Sequence, residues 1–172
     1  MIAEHTLQCV NRVAAYLNGL PEDKARAALA KCCGARRWVD ELLAARPFPS
    51  DAALLAHAAR VWWALGREDW LEAFQGHPRI GERTAEEWSR REQAGVDAAG
   101  AATRAALARE NVAYAERFGY LYLTCATGKT AGELLGELRR RLANDPATEL
   151  RIAAGEQAKI TRLRLEKLVV AP

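Results

Sequence analysis

The sequence predicts an all-α protein, a single-domain helical bundle of about eight to nine helices over residues 1–172. Three observations carry that prediction. Alanine occurs 36 times and leucine 21 times, against 12 valines and isoleucines together. The first two favour helices and the β-branched pair favours strands. Apolar residues recur at helical spacing, and Gly, Pro and capping residues interrupt them. With half its residues hydrophobic and 27% charged, the chain is long enough for one domain with its own core.

The elements follow in order. Leu7, Val10, Val13, Ala14 and Leu17 mark a helix over 2–18, ended by Gly19. Pro21, Glu22 and Asp23 open a second, with Pro in its first turn and acids at its positive end. It reaches Cys32 or Cys33, and Gly34 breaks it. Trp38, Leu42 and Leu43 share one face of a third, which Arg46-Pro47-Phe48-Pro49 stops. Ser50 is an N-cap for a helix through Leu54, His57, Val61 and Leu65. A short helix spans Glu68 to Phe74, and residues 76–83 form a loop between breakers. Thr84 with Glu87 is a capping box, and Gly95 ends the helix it starts. An Ala-rich helix is predicted from Asp97 to Phe118. Tyr120 to Cys125 is either a strand or a buried connection. Thr130 with Glu133 is a second capping box, for a helix to about Leu142. Asn144-Asp145-Pro146 turns the chain into a last helix that carries Leu150, Ile160, Leu163 and Leu168 inward.

Composition narrows the function. No apolar run approaches the ~18–20 residues of a membrane span. Met1 to His5 does not open a secretory signal, and Val169-Val170-Ala171-Pro172 is no peroxisomal tripeptide, so a cytoplasmic protein with no membrane partner is expected. The four cysteines (Cys9, Cys32, Cys33, Cys125) contain no C-x-x-C pair, and His5, His57 and His77 are far apart. A zinc site or disulfide framework is not expected, and the thiols are read as reduced and mostly buried. The net charge is only +3, and no nucleic-acid module pattern is present. Arg90-Arg91 and Arg139-Arg140-Arg141 are therefore read as solvated helix faces rather than a nucleic-acid surface. A helical DNA-binding regulator is the rival, and it lacks a clear recognition helix. Most of the five tryptophans are assigned to the core, with one available to line a pocket. Gly128-Lys129-Thr130 lacks the earlier glycine of a phosphate-binding loop, since Leu123 stands there.

Two segments carry chemistry. His77 stands between Gly76 and Pro78, which stiffens its loop, and imidazole is the usual general acid or base near neutral pH. Alone it is a polar surface residue. Ser89, Glu92 and Gln93 follow at i, i+3, i+4 and put a hydroxyl, a carboxylate and an amide on one helix face. Together, Gly76-His77-Pro78-Arg79-Ile80-Gly81 and Ser89-x-x-Glu92-Gln93-Ala94-Gly95 resemble the 2-oxo-4-hydroxy-4-carboxy-5-ureidoimidazoline (OHCU) decarboxylase family. Arg46-Pro47-Phe48, Arg117-Phe118-Gly119-Tyr120, Tyr122-Leu123-Thr124-Cys125-Ala126 and Ile160-Thr161-Arg162-Leu163-Arg164-Leu165 resemble further family segments.

The resemblance implies an all-helical domain that commonly forms homodimers and uses neither metal nor organic cofactor. It implies a small-molecule substrate, OHCU, decarboxylated to (S)-allantoin late in urate breakdown. It makes His77 the catalytic histidine and Glu92 its acidic partner. It places Pro78, Ser89, Gln93 and Arg164 at substrate-contacting positions and the backbone of Tyr122, Leu123, Thr124, Cys125 and Ala126 against the substrate. Leu121, where eukaryotic members have proline, and a short loop between His77 and Ser89 mark a bacterial-type variant. A member that binds purine-breakdown products without turning them over is the second rival.

Overall fold

The computed structural model describes residues 12–78, 80 and 100–169. Among these residues the chain forms eight α-helices and no strand. They are α1 (Arg12–Gly19), α2 (Glu22–Cys32), α3 (Arg36–Ala44), α4 (Asp51–Ala64), α5 (Arg67–Gln75), α6 (Ala101–Phe118), α7 (Ala131–Arg141) and α8 (Pro146–Lys167). The expected all-α class holds. The Thr84 capping box and the Gly95 break lie outside the described residues. No helix among the described residues is long and apolar enough to cross a membrane.

Local chemistry sets the helix ends. Ser50 Oγ accepts from the Ala53 amide at 3.0 Å and starts α4. Thr130 and Glu133 exchange side-chain and backbone bonds in a complete capping box at the start of α7. Gly119 closes α6 in the left-handed region at φ 80°, a conformation that glycine adopts without a Cβ penalty. Pro21 sits at the N-cap position of α2 rather than inside its first turn, with Glu22 and Asp23 following it. Leu43, Leu150 and Leu163 are only half-buried, and Leu168 is buried just beyond the end of α8.

The chain divides into two compact units, residues 1–73 with 158–172, and residues 74–157. In the first, α1 packs against α2 and α4, and α3 packs against α2 and α4. Its core holds Leu17, Leu29, Trp38, Leu42, Leu54 and Trp62. Two indoles are anchored there: Trp38 Nε1 donates to Ala58 O and Trp70 Nε1 to Trp62 O, both at 3.0 Å. Trp62 also lines an apolar groove with Leu55, Ala58, Ala59 and Leu165, while Trp63 stays exposed. The turn between α3 and α4 is clamped by one amide. Asn18 Nδ2 donates to Phe48 O at 2.8 Å, and Phe48 N returns a bond to Asn18 Oδ1 at 2.9 Å. Arg46, which follows α3, donates to the carbonyls of Asn18 and Leu20. The Arg46-Pro47 peptide is cis. Arg46-Pro47-Phe48 therefore serves the fold in this unit.

In the second unit α6 and α7 pack together. Leu107, Tyr114, Phe118, Tyr122, Leu134 and Leu138 form its core. Three aromatic rings surround Tyr114, whose centroid lies 4.7 Å from Phe118, 5.9 Å from Tyr120 and 5.3 Å from Tyr122.

Candidate active site

Residues 121–126 run from α6 toward α7 without helix, turn, bend or strand partner. Of the two readings of this run, the buried connection is the one found. Tyr122, Leu123, Thr124 and Ala126 are buried and Cys125 is half-buried. With no strand beside it among the described residues, side chains take up the backbone. Arg141 Nη1 donates to Leu123 O at 2.8 Å. Glu156 Oε2 accepts from Cys125 N at 2.8 Å and from Thr124 Oγ1 at 3.2 Å. A turn at Thr127-Gly128 closes the run, with Lys129 N donating to Ala126 O at 3.0 Å.

These side chains belong to one network of buried and half-buried charges. Lys129 Nζ reaches Glu137 at 2.6 Å and Thr124 Oγ1 at 2.9 Å. Its ammonium is thereby tied to protein acceptors, and the loop ends in the Thr130 cap. Arg141 pairs with Glu149 at 2.6 Å and lies over the Tyr122 ring at 4.9 Å. Glu149 is fully buried and also takes bonds from Tyr114 Oη and, at 2.7 Å, from Asn144 Nδ2. Burial opposes ionisation of Glu137, but Lys129, Thr124 and Arg141 outweigh it and hold its pKa below the ordinary value. Burial likewise opposes the Arg141 charge, and its bonds to Glu149 override that and raise its pKa. The Arg141–Glu149 pair can persist at its depth because each charge has a bonded opposite.

Arg141 corrects the reading of Arg139-Arg140-Arg141 as a solvated face. Arg139 and Arg140 are exposed, and Arg139 pairs with Glu110 at 2.7 Å. Arg141 is 5% exposed. It lies three residues after buried Leu138 and seven after Leu134, so helical phase turns it inward.

His77 follows α5 directly. Its amide donates to Phe74 O at 3.2 Å, and both His77 and Pro78 are half-buried. Phe74 packs against Tyr120 with centroids 5.4 Å apart and ring planes at 50°, which ties the base of the His77 segment to the entry of the 121–126 run. Glu92, Ser89 and Gln93 lie outside the described residues. Arg164, in α8, is described within the first unit. It is buried there, and its Nη1 donates to Lys31 O at 3.3 Å. It lies close enough to Cys32 and Cys33 to draw both thiol pKa values down, but burial dominates and pushes them up to about 12 and about 11. Both thiols are buried and free, as the cysteine count suggested.

Glu137, Glu149 and Glu156 escaped the sequence reading, and Lys129 and Arg141 were given other roles in it. The usable signal was phase: Glu149, Ala153 and Glu156 repeat at i, i+4, i+7 along one buried stripe of α8.

Comparison with known proteins places this arrangement. The family model for OHCU decarboxylase matches residues 18–166. The "Uric acid degradation bifunctional protein TTL" of Arabidopsis thaliana is 38% identical over 146 residues, covering 80% of this chain and 45% of its own length. This chain thus spans less than half of that plant protein. A Haloferax volcanii protein named as an OHCU decarboxylase is 31% identical over 166 residues, covering 94% of this chain and 95% of its own. A crystal structure of OHCU decarboxylase in the presence of (S)-allantoin superposes with a TM-score of 0.75 at 35% identity, covering 83% of this chain and 96% of that one. Fold, family model and full-length relative agree, and the chain belongs to the OHCU decarboxylase family.

Proposed function

We propose that this protein decarboxylates OHCU to (S)-allantoin, as a cofactor-independent lyase in urate breakdown. The observation that carries the reading is the family match over residues 18–166. That span takes in His77, the Ser89–Gln93 segment, the 122–126 run and Arg164 together. Residues 1–172 act as one functional domain, in the cytoplasm and as a homodimer, with no nucleic-acid partner.

The reaction breaks the bond from a ring carbon to the carboxylate. Carbon dioxide leaves, and the electron pair stays on the ring, where conjugation with carbonyl and imine delocalises it. The protein has three tasks. It holds the breaking bond perpendicular to the conjugated system. It sets donors against the developing charge. It delivers a proton to one face, which fixes the S configuration. His77 handles that proton, and Pro78 after it restricts the backbone that carries the ring. Glu92 orients or charges His77, and a carboxylate in contact would favour the imidazolium. Removal of the substrate hydroxyl proton by His77 before carbon dioxide leaves is an equivalent order. Pro78, Ser89 and Gln93 contact the substrate, the last two through its ureido or ring amide groups. The backbone of residues 122–126 faces the substrate, and Arg164 offers a planar fork to its carboxylate or carbonyl oxygens.

The test uses OHCU freshly generated from urate by the two upstream enzymes, with circular dichroism following (S)-allantoin. Rapid optically active product is expected from the native chain. His77→Ala and Glu92→Ala should each lower turnover by at least ~10²-fold. Native-like turnover and stereochemistry in both variants would remove the proton-transfer scheme. Slow racemic product from the native chain would leave the likeness as one of fold, with ligand binding to be measured next.

A further inference from the structure

We infer that Glu156 and Arg141 are positioning residues: they grip one edge of the 122–126 run and so present its other edge, the backbone of Thr124, to the substrate. The inference rests on the decarboxylase reading above.

The argument is one of alternation. In an extended chain the N–H and C=O of one residue point the same way, and those of the next residue point the opposite way. Leu123 and Cys125 are two apart, so their polar groups share an edge. That edge is taken: Arg141 Nη1 holds Leu123 O at 2.8 Å and Glu156 Oε2 holds Cys125 N at 2.8 Å. Thr124 turns its N–H and C=O to the other edge. Among the described residues no hydrogen bond engages either group, although Thr124 is 2% exposed. Backbone groups this deeply placed are nearly always paired. An adjacent donor and acceptor on one edge of the run match the N–H and C=O of a cyclic ureide, the chemical class of OHCU and of allantoin.

The grip is more than a hydrogen-bond filler. A buried carboxylate and guanidinium bind an amide and a carbonyl more strongly than neutral groups do. They are themselves fixed. The Thr124 hydroxyl has one proton to give and lies between Glu137 at 3.0 Å and Glu156 at 3.2 Å, accepting from Lys129 Nζ at 2.9 Å, while Arg141 is locked to Glu149. The side chain of Thr124 is thus pinned by the same network that orients its neighbours' backbone. The donor left over is set before the substrate arrives, as charge stabilisation without reorganisation demands.

The experiment has two arms on the full chain, with native turnover of OHCU measured first. Glu156→Ala should lower kcat by about 10²-fold with KM little changed, the scale of a displacement of about 1 Å at a reacting group. Glu156→Gln, whose amide oxygen still accepts from Cys125 N–H, should recover most of that loss. In the second arm, amide hydrogen exchange of the native protein is recorded by NMR with and without (S)-allantoin, at a concentration that inhibits turnover. The Thr124 amide should shift and exchange more slowly, while the Cys125 amide, already bonded, should not change. Native kcat in a folded Glu156→Ala, or an unmoved Thr124 amide, overturns the inference. If Glu156→Ala does not fold, the amide measurement decides alone. An inactive native chain is a different failure, since it removes the decarboxylase reading first.

Discussion

Two connections in this molecule do the same geometric job with different chemistry. The turn after α3 and the run after α6 are both irregular and both held by side chains. In the first, Asn18 closes the loop with a reciprocal pair of neutral hydrogen bonds to Phe48. In the second, Arg141 and Glu156 do so with full charges. A neutral clamp is enough to bury a turn. Buried charges carry a desolvation cost that apolar packing would avoid. Their use at 121–126 therefore points to a demand beyond chain closure, and an aligned, polarised edge for a ligand is such a demand.

The contrast can be broken from the charged side first. Arg141→Met leaves fully buried Glu149 without its cation. A loss of about 3–5 kcal/mol is expected in chemical denaturation, the range for breaking one side of a buried pair. Tyr114 and Asn144 still bond Glu149, which pulls the value toward the lower end. Adding Glu149→Leu to that variant should restore much of the stability, because the orphaned charge is then gone. A double variant no more stable than the single one would mean that packing, not charge, is what Arg141 provides.

On the neutral side a smaller effect is expected. Asn18→Ala removes both bonds to Phe48 and strands a backbone donor and acceptor, at about 1–3 kcal/mol in the same measurement. The smallest effect belongs to charges left in water. Arg26 and Asp40 pair at 2.5 Å, with side chains 49% and 58% exposed. Arg26→Gln should leave the denaturation midpoint where it was. A clear loss there would erase the distinction between buried and exposed charge.

What the sequence disclosed follows the range of the interactions. The caps at Ser50 and Thr130 were legible because donor and acceptor lie three residues apart. The run at 120–125 was legible as extended from its aromatic and branched residues, but not as strand or connection. That choice depends on groups 18 and 31 positions away, Arg141 and Glu156. Arg141 was hidden by its neighbours: three consecutive arginines look like surface, and only helical phase separates the third. His77 was legible as a loop residue, from the proline after it and the helix before it. Its partnership with Glu92 and the roles of Ser89 and Gln93 rested on motif likeness, and all three fall outside the described residues.

The vicinal thiols Cys32 and Cys33 give the first unit its own reporter. Their pKa values, near 12 and 11, leave almost no thiolate at neutral pH, and only the thiolate is alkylated readily. Opening the unit returns both sulfurs toward ordinary acidity and to the reagent at the same moment. The rate of their modification is then a clock for the opening of α2 from its neighbours.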